Sequence, residues 1–402
     1  MNTKPKLDFE AIQIHRHPLI EKDAIFSTLA TSRVAEDDLD VLTNLQSNLY
    51  RNNVIAITGK NATGKTTLLN LLLGVLQLTL NNKSIENTDL TNILLDEDVE
   101  LSIFFYSETQ KIYRDHITFT KGEHNDWFIS KEVIMSKKLN KHIVKKDILN
   151  FDDDNVKITI EYDRNHLEGI ERQLLSADAS LFRLISAQHD TQYGYNTLRF
   201  TNFNGVLYKP YDVPAELLEF LDPTIEFFKM DIISGEDSAS RISYKLKFKN
   251  RDEVYSDTNF SNLAQYLSSG TIKAITMHSL MLKALQTGSI FIMDEIENHY
   301  NNTIIREIIE VFSNPYFNVH GATLIFSTHF SELLNDIKRM DNIYIMERED
   351  KIAMKKYSEL GIRSELDKQE VFDSGYNMKS TPSYEAIVNY EQALKESIIN
   401  HE

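Results

Sequence analysis

Gly59, Gly64, Lys65 and Thr66 stand in the spacing G-x-x-x-x-G-K-[ST] within the stretch VIAITGKNATGKTTLL. Two glycines let the backbone turn tightly, so that N–H groups from Lys60, Asn61, Ala62 and Thr63 on to Thr67 can wrap a polyphosphate. The Lys65 ammonium would add charge at the outer phosphates, and the Thr66 hydroxyl is a ligand type for Mg²⁺. A second chemical pair, Asp294 and Glu295, ends the apolar run SIFIMDEIE. An aspartate there can hold Mg²⁺ through its water shell opposite Thr66, and the adjacent glutamate can polarise an attacking water. Two further groups have weaker signals. Ser268, Ser269 and Gly270 (in LSSGT) open a helical pattern, where unpaired N–H groups and the helix dipole favour an anion. Thr328 and His329 end the run ATLIFSTHF; a lone histidine at a strand end is more often structural than catalytic.

The elements that must position these residues are legible around them. Val54, Ile55, Ala56 and Ile57 read as a short strand buried on both faces, and the leucine-rich run from Thr66 reads as a helix. SIFIMD and ATLIFST read as two more buried strands. Between the two halves, Val99, Leu101, Ile103 and Phe105 alternate with polar neighbours. Tyr113, Ile117, Phe119, Trp127 and Ile129, then Val156, Ile158, Ile160 and Tyr162, continue in the same period. This is the pattern of an antiparallel, half-buried meander. HLEGIERQLL, SLFRLI and AELLEFL read as helical pieces. RISYKLKFKN reads as a strand with Arg241, Lys245, Lys247 and Lys249 along or beside one face. A basic strand face can touch a phosphate backbone, but such faces are more often simply solvated. Asp152, Asp153 and Asp154 lie in a turn-like stretch without matching ligands, so a solvated loop is expected.

At 402 residues the chain has room for two or three lobes. Its net charge of −17, from 43 basic and 60 acidic residues, argues against a protein that coats nucleic acid. There are no cysteines, which excludes disulfides, cysteine zinc sites and thiol catalysis. No apolar run approaches a membrane span, and the start lacks a signal-peptide core, so a cytoplasmic protein without membrane contact is expected. The organisation expected is the first part of an ATPase core over 1–98, the meander over 99–163, and a helical lobe with an added strand over 164–266. The second part of the core follows over 267–345, and a C-terminal extension over 346–402.

The order of these motifs resembles the ABC-type ATPases, in particular the heads of SMC proteins and of recombination and repair ATPases. The resemblance runs from about residue 54 to 335. It implies an α/β P-loop NTPase of the ABC head type, with a mixed sheet, an antiparallel meander, a helical lobe and no long coiled coil. It also implies ATP and Mg²⁺ as cofactors. By position, Lys65, Thr66, Asp294, Glu295 and His329 act in cis, with His329 as the histidine that senses the γ-phosphate. Ser268 and Gly270, with Ser269 between them, act on the γ-phosphate held by a second copy. LSSGT departs from the transporter consensus LSGGQ at its first glycine. The glutamine that such proteins place on the metal is assigned to Gln188, in RLISAQHD; Gln110 is the other candidate.

"LS-x-GT", "DEIEN" and "STHFSELL" also resemble prokaryotic ATPases of the overcoming-lysogenization-defect and abortive-infection group. That group often carries DEIENxxH; here the corresponding position is Asn301, and the nearby histidine is His299. The nearest implied models are the ATPase subunits of PARIS-type and Septu-type anti-phage systems. The expectation is therefore a regulatory ATPase that oligomerises through ATP, answers a phage-encoded trigger and controls a separate effector chain such as a nuclease. A repair ATPase clamping duplex DNA is the alternative, with DNA binding expected to be weak. No sustained heptads lie between Lys65 and Gly270, and the net acidity weighs against it. A transporter subunit is least favoured. A nuclease domain within the chain is not expected, since 73 residues follow His329 and show no second cluster of acids with metal-binding spacing.

Overall fold

The computed structural model describes residues 4–140, 144–152, 156–167, 175–198, 213–234, 240–298, 300–363, 366–374 and 384–399. Asp153, Asp154, His299, most of HLEGIERQLL and the side chain of Arg241 lie outside the described residues.

The strand Val54–Gly59 (β5) is buried along its whole length, and its side chains alternate between two cores. Ile55 and Ile57 face one cluster, Val54 and Ala56 the other. A strand packed on both faces has no solvent side to mark with polar residues, which is why it reads as a continuous apolar run. It lies inside a six-stranded sheet of order β11 (Gly194–Asn196), β15 (Ile290–Met293), β16 (Thr323–Thr328), β5, β17 (Ile343–Arg348) and β18 (Ile352–Lys356). All are parallel except β18, which pairs antiparallel with β17. The register sets Thr58 beside Thr328 and Met293 beside Phe326. The ends of β5, β15 and β16 therefore meet at one edge.

Helix α1 (Lys65–Thr79) is apolar almost all round because it lies between two sheets. Leu68, Leu69, Leu72, Leu73 and Leu76 are fully buried. Each contributes about 2 kcal/mol relative to exposure. The second sheet holds β1 (Lys6–Arg16), with β2 (Ala24–Ser27) on its edge. Its meander strands are β6 (Val99–Ser107), β7 (Lys111–Lys121), β8 (Trp127–Lys138) and β9 (Ile158–Asp163). β10 (Asp190–Thr191) pairs parallel with the start of β1, on the same side as β2. The meander is antiparallel throughout, with register shifts at Thr118/Phe119 and at Ile134/Met135. β1 extends it by pairing with β6, so the segment before the phosphate loop belongs to both layers.

The segment 164–266, expected as a helical lobe with one added strand, holds among the described residues the helices Arg183–Ser186 and Ala215–Leu221. It also holds a three-stranded antiparallel sheet of β12 (Ile225–Ser234), β13 (Ser240–Phe248) and β14 (Val254–Asp257). Paired apolar residues, Phe227–Phe228 and Ile232–Ile233, blur the alternation of β12 in the sequence. Helix α2 (Ser269–Thr287) joins this sheet to the core. Its Ile272 and Ile275 pack with Phe228, Tyr244 and Leu246, while Met277, Met281 and Ala284 pack under β15. Helix α3 (Asn302–Ser313) covers the same face of the main sheet as the second half of α2. At 19 residues α2 is the longest helix among the described residues, so no long coiled coil occurs there. None is long and apolar enough to cross a membrane.

Candidate functional site

The phosphate loop is built where β5 ends. Gly59 (φ +152°) and Gly64 (φ +95°) both have backbone angles that side chains rarely adopt. Space forbids a side chain as well: a Cβ at Gly64 would stand 2.3 Å from Cδ1 of Ile352, and one at Gly59 would stand 2.4 Å from the Met346 carbonyl oxygen. Ala62 also has positive φ, +62°. The Thr63 hydroxyl donates to the Lys60 carbonyl at 2.9 Å and is buried, whereas Asn61 and Ala62 at the loop tip are exposed. Thr67 lies half-buried in the first turn of α1.

Lys65 curls back into this loop. Its ammonium donates to the carbonyls of Gly59 (2.9 Å) and Lys60 (2.8 Å), with Nδ1 of His329 at 3.4 Å. Burial lowers its pKa, and the carboxylates of Asp294, Glu295 and Glu297 oppose that shift. Because an ammonium only donates, the His329 Nδ1 facing it must accept. The ring proton then sits on Nε2, which points at the Glu295 carboxylate 3.6 Å away.

Asp294 follows β15 and bridges the two halves of the chain. Its Oδ2 accepts from the Thr66 hydroxyl at 2.7 Å, and its Oδ1 accepts from the Ser327 hydroxyl. Glu295 has φ +46°, a left-handed conformation that costs a non-glycine residue on the order of 1 kcal/mol. Three hydrogen bonds hold it there. Its N–H donates to Ser327 Oγ at 2.7 Å, the Ile296 N–H donates to the Ser327 carbonyl at 3.0 Å, and the Asn298 N–H donates to the Glu295 carbonyl at 2.8 Å. The Asn298 amide also donates to Glu295 Oε2. Glu297 accepts from the His329 N–H at 2.6 Å, and its other oxygen is buried without a hydrogen-bond partner among the described residues.

Lys65, Thr66, Asp294, Glu295 and His329 are thus brought within one network at the edge where β5, β15 and β16 end. Ser268, Ser269 and Gly270 stand outside that network, at the start of α2. There the exposed Ser268 caps its own helix, accepting from the Thr271 N–H at 3.0 Å.

Gln188 is not brought to the site. Its amide donates to Leu184 at 3.0 Å, and it precedes β10 and β11. β11 begins beside Ile290 and runs parallel to β15, so Gln188 lies toward the opposite edge of the sheet from Asp294. Asn196 and Thr197, at the far end of β11, are the residues that arrive beside the Asp294 turn; the Thr197 N–H donates to the Ile292 carbonyl at 3.0 Å. Gln110 lies in the turn between β6 and β7 of the second sheet, where its backbone carbonyl accepts from the Leu139 N–H at 2.9 Å.

Two other features noted in the sequence find their places here. Lys245, Lys247 and Lys249 are each paired, with Asp231 (3.0 Å), Glu226 (2.9 Å) and Glu219 respectively, so among its described side chains β13 presents no line of free cations. Asn301 is the N-cap of α3, accepting from the Ile304 N–H at 3.0 Å. Sequence reasoning missed Ser327, Glu297 and Asn298. Ser327 precedes the noticed Thr328–His329 pair, and the other two follow the noticed Asp294–Glu295 pair.

The oxygen-only set of Thr66 and Asp294 suits a hard cation such as Mg²⁺, and the positive φ of Gly59 and Gly64 gives the loop the turns by which backbone N–H groups can face an anion. A family model described as "AAA domain, putative AbiEii toxin, Type IV TA system" matches residues 54–335. No curated protein matches the chain. A solved structure, "Structure of the recombination mediator protein RecF-ATPrS in RecFOR pathway", aligns at 12% identity and TM-score 0.36, over 88% of this chain and 100% of that one. At that score the likeness carries no weight for function. With a mainly parallel α/β core that carries the phosphate loop, and with the family match spanning both halves of the site, the chain belongs to the AAA family of the AbiEii type.

Proposed function

We propose that this chain binds and hydrolyses ATP with Mg²⁺, and that it works as a regulatory ATPase of a bacterial anti-phage system. The observation that carries the reading is the convergence of Lys65, Thr66, Asp294, Glu295 and His329 at one sheet edge. Lys65 and the loop N–H groups hold the polyphosphate. Thr66 and Asp294 would hold Mg²⁺, which when bound neutralises charge on the phosphates. Glu295 polarises the attacking water, and His329, whose Nε2 lies 3.6 Å from the Glu295 carboxylate, senses the γ-phosphate. The Ser268–Gly270 helix start closes over the γ-phosphate held by a second copy, so that ATP joins subunits.

In this reading the effector, a nuclease for example, is a separate chain, a phage product is the trigger, and the assembly acts in the cytoplasm. The paired lysines of β13 weaken the alternative of a repair ATPase clamped on DNA. The defence role is tested by plating phage on cells that carry the gene together with its chromosomal neighbours. Fewer plaques are expected with the parent than with Lys65→Ala. Equal plating contradicts the defence role and leaves the ATPase reading standing.

A further inference from the structure

Beside the Asp294–Glu295 turn lies a cavity of about 190 Å³, lined by Thr197, Lys273, Asp294, Glu295, Asn298 and Tyr300 among others. Lys273 stands one turn into α2, close behind Ser268–Gly270. It is half-buried, and among the described residues its ammonium has neither a hydrogen bond nor an ion pair. Burial lowers its pKa. An unpaired, partly buried ammonium is costly, and this one shares a cavity with two carboxylates that are engaged elsewhere. Asp294 accepts from Thr66 and Ser327, and Glu295 is held by Asn298 and faces His329. Helix α2 is anchored in two cores, through Ile272 and Ile275 on one side and Met277 and Met281 on the other. A displacement at its start therefore reaches Lys273 within one turn.

We propose that Lys273 is a positioning residue that ties the helix start offered to a second copy to the Glu295 of its own chain. When the second copy's phosphate seats on Ser268–Gly270, the Lys273 ammonium moves onto the Glu295 carboxylate. It displaces the Asn298 amide and turns the carboxylate toward the attacking water. The same helix then senses the partner's nucleotide and licenses hydrolysis of its own. This inference rests on the roles given above to Glu295 and to the start of α2.

The test uses the full chain with Lys273→Met and Lys273→Arg. ATP affinity is measured by calorimetry, kcat and KM by steady-state kinetics, and ATP-dependent mass by light scattering in a Glu295→Gln background. Lys273→Met is expected to keep ATP affinity and KM within about twofold and to assemble with ATP as its parent does. It should lose roughly tenfold or more in kcat, and Lys273→Arg should recover most of that loss. A kcat for Lys273→Met within about twofold of the parent overturns the proposal. Loss of assembly in step with kcat also overturns it, because that marks general damage to α2. If Glu295→Gln alone hydrolyses ATP at the parental rate, the base assignment fails first. If Glu295→Gln is inert while Lys273→Met runs at full speed, only the role of Lys273 fails.

Discussion

The Thr66 hydroxyl donates to Asp294 Oδ2 at 2.7 Å across 228 residues of chain. That one bond joins the phosphate loop to the acidic turn. It forms because β16 lies between β5 and β15 and ends level with both. The Ser327 hydroxyl at the end of β16 holds the other oxygen of the same carboxylate.

Lys65→Ala should abolish ATP binding. The ammonium is held inside the loop by two carbonyls, and loop N–H groups alone cannot replace its charge. A loss of roughly 100-fold or more in affinity is expected by calorimetry. Unchanged affinity would mean that the loop is not the nucleotide site.

Asp115 should be a source of instability at neutral pH. It is fully buried on β7, and among the described residues neither of its oxygens has a hydrogen-bond partner. Burial, with Glu132 nearby, raises its pKa well above the ordinary value of 3.8. A carboxyl group whose folded pKa is raised contributes stability below the unfolded pKa and loses it as pH rises toward the folded pKa. Asp115→Asn removes that titration. Its melting temperature should exceed the parent's by a few degrees at pH 7.5, with the gain shrinking toward pH 4. A variant less stable than the parent at both pH values would show that the ionised carboxylate is compensated in the fold.

Replacing Lys245, Lys247 and Lys249 together by alanine should leave duplex DNA binding unchanged, because each ammonium is already paired. Fluorescence anisotropy over a salt series measures it. A clear fall in affinity with a shallower salt slope would show that these lysines leave their carboxylates for phosphate.

Much of this arrangement was legible in the sequence. β5, β15 and β16 are buried on both faces, so each leaves an unbroken apolar run with its chemistry at the end. What was hidden depends on long-range register. The partners of Lys245 and Lys247 lie on β12, and no local pattern shows which residues a neighbouring strand sets opposite them. Gln188 had a plausible position along the chain. The three-residue strand β11 that decides which residues reach Asp294 is too short to leave a periodic signal. The strained turn at Glu295 was equally invisible, since a glutamate in DEIEN carries no mark of positive φ.

The central claim is that ATP joins two copies through Glu295 on one side and the start of α2 on the other. Light scattering of Glu295→Gln with and without ATP tests it most directly. The variant keeps Asp294 and the loop, so it should bind ATP, fail to hydrolyse it, and gain mass or tighten its assembly when ATP is added. Adding Ser268→Arg should abolish that gain by placing a bulky cation at the helix start. Hydrolysis at the parental rate by Glu295→Gln would contradict the base assignment, and undiminished ATP-driven assembly by the double variant would contradict the joint between copies.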